Sequence, residues 1–294
     1  MKRWIALTLG IGLALALGSL GGAQVEVLPR IERDVSYGLA GGETLKMDIY
    51  RPQTSGRKPA VITIHGGGWR AGDKRGDRRL ALLLAKQDYV VFAINYRLTP
   101  KFPWPAAFDD CQRAVRWVRH QADEYEVKRS RIGALGRSAG AHLAALLGTV
   151  RETRDDSDPL LAKYSSQVNA VVDMYGPADL RKQYAHARNK QTMLDFMGKP
   201  PQQAQSKYRA ASPALQVTRK SAPFLILHGS ADPVVPVEQA KLMDAALRAK
   251  GVPSKLVIIE GAGHGWRRNP SAKAQSDREI IAFLETRLRK GKRR

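Results

Sequence analysis

The sequence predicts an α/β fold with a mostly parallel central sheet flanked by helices. Two observations carry that reading. Apolar runs of strand length alternate with helical-period segments along most of the 294 residues, the rhythm that parallel strands and crossover helices produce. One of those strands also passes into a helix through Gly136-Arg137-Ser138-Ala139-Gly140, a turn that demands a sharp reversal of the chain.

The elements follow in order. Val25 to Tyr37 and Glu43 to Tyr50 read as early strands around the turn signal Gly41-Gly42. Ala60 to Ile64 is a short apolar strand leading into His65-Gly66-Gly67-Gly68-Trp69. Arg78 to Lys86 reads as a helix and Tyr89 to Asn95 as a buried strand. Phe108 to Gln121 has apolar residues at helical spacing, among them Ala114, Val115 and Val118. Arg131 to Leu135 is the strand before the Gly-Ser-Gly turn, and a helix from about Ala139 to Leu147 follows it. Further strands are read at Val168 to Tyr175, Phe224 to His228 and Lys255 to Glu260, with helices at Val237 to Lys250 and Ser276 to Leu288. The stretch from Pro177 to Ala222 breaks the rhythm. It is polar, with Met193, Leu194, Phe196 and Met197 as its compact apolar cluster, and reads as a small lid-like insertion between two strands.

The N-terminus has the layout of a secretory signal peptide. Lys2 and Arg3 precede a charge-free apolar run to Leu17, and small residues lead to Ala23. The run is shorter than the roughly 20 residues a membrane span needs. The expectation is cleavage after Ala23, an α/β domain from residue 24 to 294, and a secreted or periplasmic location; an uncleaved N-terminal anchor is the alternative. The formal charge of +22 becomes 22 − 2 = +20 once Lys2 and Arg3 are removed. Such a charge favours adsorption to anionic envelope polymers. The basic residues are scattered, and only the tail from Arg287 to Arg294 forms a block, so no specific nucleic-acid partner is expected. The single cysteine, Cys111, cannot form an internal disulfide and reads as a small buried hydrophobe. No metal-ligand cluster, phosphate loop or dinucleotide fingerprint is present, and no cofactor is expected.

The chemistry concentrates in three places. A serine between glycines at the end of a strand is the nucleophile elbow of α/β-hydrolases, where the hydroxyl is raised above the sheet and glycines remove clashing side chains. Ser138 is the candidate nucleophile. The triad order of this fold is serine, acid, histidine, which selects among the six histidines. His65 and His120 precede Ser138, and His142 lies on the helix behind the elbow. His186 falls in the insertion, and His228 closes an apolar strand. His264, in Gly261-Ala262-Gly263-His264-Gly265-Trp266, follows the last strand and is the candidate base. Asp232 follows the strand Phe224 to Leu227 and is the candidate acid that orients the imidazole. Glu260 and Asp173 are its competitors. The run His65 to Trp69 is the third place, because glycines let backbone N–H groups approach a developing oxyanion. Ala139 N–H is the expected further donor.

At these residues the chain resembles a known family. His65 to Trp69, Tyr96-Arg97-Leu98, Pro105-Ala106-Ala107-Phe108-Asp109-Asp110 and Ser138-Ala139-Gly140-Ala141-His142 look like the hormone-sensitive-lipase-like and related small carboxylesterases. Trp69, Asp173-Met174-Tyr175-Gly176-Pro177 and His228 to Asp232 with Val235-Pro236 are more similar to the branch of bacterial feruloyl and acetyl-xylan esterase-like proteins. The resemblance runs from about Glu43 to Leu288. It implies an α/β-hydrolase fold and a serine carboxylesterase acting on short acyl esters, with acetyl or feruloyl groups on polysaccharide among the substrates. It also implies oxyanion donors at Gly67 and Gly68, a substrate-shaping role for Trp69 and a structural role for Asp110. Arg137 departs from the pattern, since acidic or small residues are common there in the lipase-like group. The resemblance also gives no long N-terminal helical cap, so an open site is expected. Bulky Trp69 and Trp266 are expected to narrow the space beside the triad and favour short acyl groups. A serine peptidase or formamidase on the same fold, and a catalytically silent binding protein, are the alternative functions.

Overall fold

The computed structural model describes residues 28–150, 156–187, 189–266 and 269–289. The segment read as a signal peptide, residues 1–23, and the tail beyond residue 289 lie outside the described residues. Among the described residues, eight strands form one sheet in the order β1-β2-β4-β3-β5-β6-β7-β8. β1 (Arg30–Ala40) and β2 (Glu43–Arg51) form an antiparallel hairpin. Its two-residue turn, Gly41-Gly42, has positive φ at both positions, as the favoured hairpin turn requires. β2 pairs antiparallel with β4 (Val90–Ile94). From β4 onward all neighbours are parallel: β3 (Lys58–Ile64), β5 (Val127–Arg137), β6 (Ala170–Met174), β7 (Phe224–Gly229) and β8 (Ser254–Ile259).

Buried strands carry apolar residues on both faces, and alternate residues enter different cores. Ile62, Ile64, Phe92 and Ile94 pack with α2 (Ala106–His120), α3 (Ala139–Thr149) and α7 (Val237–Ala249). Val61, Val91, Ala93 and Leu135 pack on the opposite face with α1 (Arg78–Lys86) and α8 (Pro270–Leu284). α3 is buried along its whole length, which explains its charge-free sequence AGAHLAALLGT. Cys111 is fully buried in the first core, and burial pushes its thiol well above the usual range.

Most differences from the sequence reading fall at element ends. β5 extends past the expected Arg131 to Leu135 at both ends. The last helix begins at Pro270 rather than Ser276, because the Asn269 side chain caps it by accepting the Ala272 N–H and Pro270 fits its first turn. It ends at Leu284 and passes into a π-helical turn, Glu285–Arg289. The insertion is more ordered than its polarity suggests. It holds α4 (Leu180–His186), α5 (Gln191–Met197) and α6 (Gln205–Ala210), and Leu180, Met193, Phe196, Met197 and Tyr208 join the first core.

The chain crosses from β3 to β4 on one side and from β4 back to β5 on the other. The strand order therefore reverses at β3, and the crevice beyond the carboxyl ends of β3 and β5 is where ligands bind in open α/β sheets. Register sharpens the point. Ile64, the last residue of β3, is opposite Gly136 of β5, and Arg137 is opposite Met174 of β6. The loops after β3, β5 and β6 thus leave the sheet side by side.

Candidate active site

The elbow is a strained turn held by close backbone contacts. Ser138 has φ 53° and ψ −120°, a region sparsely populated by residues with a side chain. Its N–H donates to Met174 O at 2.9 Å. The flanking glycines are required by space. A Cβ on Gly136 would sit 2.1 Å from Gly140 O, and one on Gly140 would sit 2.0 Å from Ile64 O.

The loops after β7 and β8 are stitched together. Ser230 N–H donates to Ile259 O at 3.0 Å, Ala231 N–H to Ala262 O at 3.1 Å, and Gly261 N–H to Ser230 Oγ at 2.8 Å. This seam sets Asp232 beside His264. His264 Nδ1–H donates to Asp232 Oδ2 at 2.7 Å, so Nε2 is left to accept from Ser138 Oγ, 3.0 Å away. The three residues chosen from the sequence form one continuous relay. Glu260 does not compete: its carboxylate accepts from Ser230 Oγ at 2.8 Å. Asp173 is buried and accepts the Gly176 N–H at 2.9 Å. Burial pushes its carboxyl up to about 6.

Asp232 Oδ1 accepts the N–H groups of Val234 and Val235 at 2.8 and 3.0 Å. Burial of this carboxyl opposes ionisation. The nearby His228 ring and the hydrogen bonds from His264 and the Val235 N–H outweigh it and hold the group well below the usual carboxylate range. His228 is fully buried, donates Nε2–H to Val235 O at 2.8 Å, and lies 3.5 Å from Asp232 Oδ2. Its supporting place beside the acid was missed in the sequence. The spacing of four residues from Asp232 was the available signal.

A cavity of about 340 Å³ opens at Ser138. Gly68, Trp69 and Ala139 line it on the strand side, together with Pro233, Val234 and Val235. Pro177, Gln183, His186, Ala187, Asn189, Thr192 and Met193 complete the wall. Gly67 is not among the lining residues, and its carbonyl turns back to accept the Arg70 and Ala71 N–H groups at 3.2 and 3.1 Å. Trp266 is not among them either. It is buried in a T-shaped contact with the Tyr175 ring, 5.0 Å between centroids, and does not line the cavity it was expected to narrow. His186 does line the cavity, although its place in the insertion gave no reason to select it.

Trp69 is fixed from two sides. Its ring stacks on Phe196 at 4.4 Å, and its Nε1–H donates to His142 Nδ1 at 3.3 Å. His142 Nε2–H donates to Ala211 O at 2.7 Å. Both ring nitrogens are thus used by a neutral imidazole, and complete burial lowers the group from 6.5 to about 4. Asp110 is equally occupied, accepting from Arg97 Nε and Nη2 at 2.7 to 3.0 Å and from the Arg97 backbone at 2.8 Å.

The BD-FAE family model matches residues 47–247. The chain belongs to the BD-FAE family. Esterase LipC of Mycobacterium tuberculosis (strain ATCC 25618 / H37Rv) is 34% identical, over 86% of this chain and 64% of its own length. The ethyl acetate hydrolase of Pseudomonas putida is 28% identical, over 86% of this chain and 80% of its own. This BD-FAE chain spans only about half to two thirds of the first curated relatives it matches. Among solved structures, an acetyl ester-xyloside bifunctional hydrolase from Caldicellulosiruptor lactoaceticus superposes with a TM-score of 0.76 at 25% identity, covering 86% of this chain and 95% of that one. A thermophilic esterase from Thermogutta terrifontis gives 0.75 at 27% identity, covering 89% and 93%. The fold of this BD-FAE member is therefore the α/β-hydrolase fold that the strand order and elbow describe.

Proposed function

We propose that this protein is a serine carboxylesterase that hydrolyses short acyl esters through an acyl-enzyme. The observation that carries the reading is the relay from Asp232 Oδ2 through His264 to Ser138 Oγ, 2.7 and 3.0 Å, at the mouth of a cavity. In acylation, Ser138 Oγ bonds to the ester carbonyl carbon as its proton passes to His264 Nε2. Asp232 stabilises the imidazolium. Backbone N–H groups of Gly68 and Ala139, with Gly67 behind them, stabilise the oxyanion. Collapse breaks the carbon–oxygen bond to the alcohol, which leaves with the proton from His264. Water then repeats the sequence and returns Ser138.

Residues 177–222 serve as a partial lid, and Trp69 shapes the pocket. A cavity of about 340 Å³ suits acyl groups of about two to four carbons, because long chains need a deep apolar tunnel to bury each CH₂ at about 0.8 kcal/mol. Acetyl groups on polysaccharide suit this reading, since one similar structure is described as an acetyl ester-xyloside hydrolase. The export reading rests on residues 1–23, and the net charge of 22 − 2 = +20 left after their removal would hold the protein at anionic surfaces. The test of activity is turnover of p-nitrophenyl esters from acetate to palmitate by the wild type and by Ser138→Ala. Short-chain preference, lost in the variant, is expected; near-wild-type turnover in Ser138→Ala would end the serine mechanism. N-terminal sequencing of exported protein should begin at or near Gln24, and a start at Met1 would favour an anchored form.

A further inference from the structure

Asp232 stands in a loop with little burial of its own. Its neighbours Ala231, Pro233 and Val234 are exposed, Val234 at 52%. The backbone seam to the loop after β8 ends at Ala231. Beyond it, the path of the chain depends on polar links more than on packing. Two side chains supply such links through the loop's carbonyls. His228 donates to Val235 O at 2.8 Å, and Gln183 Nε2 donates to Val234 O at 2.9 Å. The Gln183 bond has a continuation. Val234 C=O and Val235 N–H are the two ends of one planar amide, and that N–H donates to Asp232 Oδ1 at 3.0 Å. The His228 bond has none, because the amide beyond Val235 belongs to Pro236, which carries no N–H. A donor on a carbonyl polarises the amide and strengthens the N–H at its other end. One chain of hydrogen bonds thus runs from Gln183 through the amide to Asp232, and on to His264 at 2.7 Å and Ser138 at 3.0 Å.

Gln183 comes from the insertion. It lies on α4 one turn after Leu180, on the same face, and both side chains are buried. The start of α4 is moored to the body. Gln239 of α7 accepts the N–H groups of Ala178 and Asp179 at 2.8 Å each, and Ser212 Oγ accepts the Leu180 N–H at 2.9 Å. Gln183 Oε1 has no partner among the described residues, so the side-chain amide is held by its Nε2 alone. A buried amide is costly unless it is bonded, and the bond kept here ends on the acid loop. We propose that Gln183 is a positioning residue for the catalytic acid: through the Val234–Val235 amide it holds Asp232 against His264. This rests on the serine-esterase reading, and the effect of Gln183 passes through Asp232. Gln183 also lines the cavity, so alignment must be told apart from substrate binding.

Gln183→Met keeps the length of the side chain and removes the donor. With p-nitrophenyl acetate the expected result is a kcat lowered by roughly 10-fold with KM within about 2-fold, the split that lost alignment gives when binding is intact. The rate of Ser138 modification by a sulfonyl fluoride should fall equally, since it reports activation of the serine without an ester substrate. In an Asp232→Asn background, followed by single-turnover hydrolysis with enzyme in excess, the same change should cost less than about 2-fold, because the two residues act as one unit. Wild-type kcat in Gln183→Met, a change in KM alone, or the same roughly 10-fold loss in the Asp232→Asn background would each overturn the proposal. If Gln183→Met does not fold, Gln183→Asn, one methylene too short for the bond to Val234 O, takes its place in each measurement. A wild-type protein inert to both ester and sulfonyl fluoride would instead overturn the serine-esterase reading, and this proposal with it.

Discussion

His142 should give this protein an acid sensitivity that can be separated from all its other titrations. In the fold its Nδ1 accepts from Trp69 and its Nε2–H donates to Ala211 O. A second proton would set an N–H of His142 against the N–H of Trp69, inside a site that is fully buried. The folded group titrates near 4 against 6.5 when free. Between those values the unfolded chain binds the extra proton, so stability contributed by neutral His142 is complete above about pH 6.5 and is lost as pH falls towards 4. At about 1.4 kcal/mol per pKa unit, the loss approaches 3 kcal/mol near pH 4 and is about 2 kcal/mol at pH 5. Asp173, pushed up by burial to about 6, works in the opposite direction over much of the same range. The total pH profile is therefore not diagnostic, and a difference measurement is needed. His142→Gln cannot titrate. Urea unfolding of wild type and His142→Gln at pH 7 and pH 5 should show the wild-type advantage shrinking by about 2 kcal/mol at the lower pH. An advantage that stays constant between the two would refute the neutral, doubly bonded imidazole.

Asp173→Asn should do the reverse: the folded carboxyl is neutral at low pH, so the variant gains on the wild type by about 2 kcal/mol between pH 4 and pH 7, read by the same unfolding curves. Asp232→Asn should lower kcat by orders of magnitude, roughly 10⁴-fold where the wrong tautomer results, whereas Glu260→Gln, whose carboxylate accepts from Ser230 rather than from His264, should leave steady-state turnover near wild type; the opposite ranking would reassign the acid. Gly140→Ala should destabilise by roughly 3 kcal/mol, because its Cβ would lie 2.0 Å from the Ile64 carbonyl and backbone cannot swing aside; thermal unfolding close to wild type would show the elbow to be looser than described.

The residues in the relay were legible because each follows a strand and each sits in turn chemistry that has a mechanical purpose. Ser138 is framed by glycines that the backbone of Ile64 and Gly140 make obligatory, and His264 follows a seam of short loops. The parallel sheet was legible from alternation alone. What escaped was contact across large sequence separation. Nothing in the local pattern around Arg137 points to Asp77, sixty positions earlier. Tyr175 read as the end of a strand, and its place against His264 depends on the pairing of β5 with β6 and β6 with β7. The early start of α8 was different: Asn269-Pro270 is a cap signal present in the sequence, but the apolar periodicity becomes clear only later in the helix.

The two sources of this site differ in how freely they can change. The proposed reacting groups follow strands whose register and close contacts fix them, and a single added carbon at Gly136 or Gly140 meets backbone. Half of the residues lining the cavity come instead from the insertion between β6 and β7. That insertion is not a loose flap. Phe196 stacks on Trp69, Trp104 N–H donates to Phe196 O at 2.8 Å, and Arg70 pairs with Asp195 at 3.6 Å. Its anchoring face thus grips the loop that follows β3, while His186, Thr192 and Met193 face the cavity. Substitutions at those three positions can reshape the pocket and leave the relay intact. A change at Phe196 cannot, because it removes the ring stacked on Trp69 in the loop that carries the proposed backbone donors. The division between fixed chemistry and adjustable walls therefore falls within α5 itself, where Phe196 stacks on Trp69 while Thr192 and Met193 line the cavity.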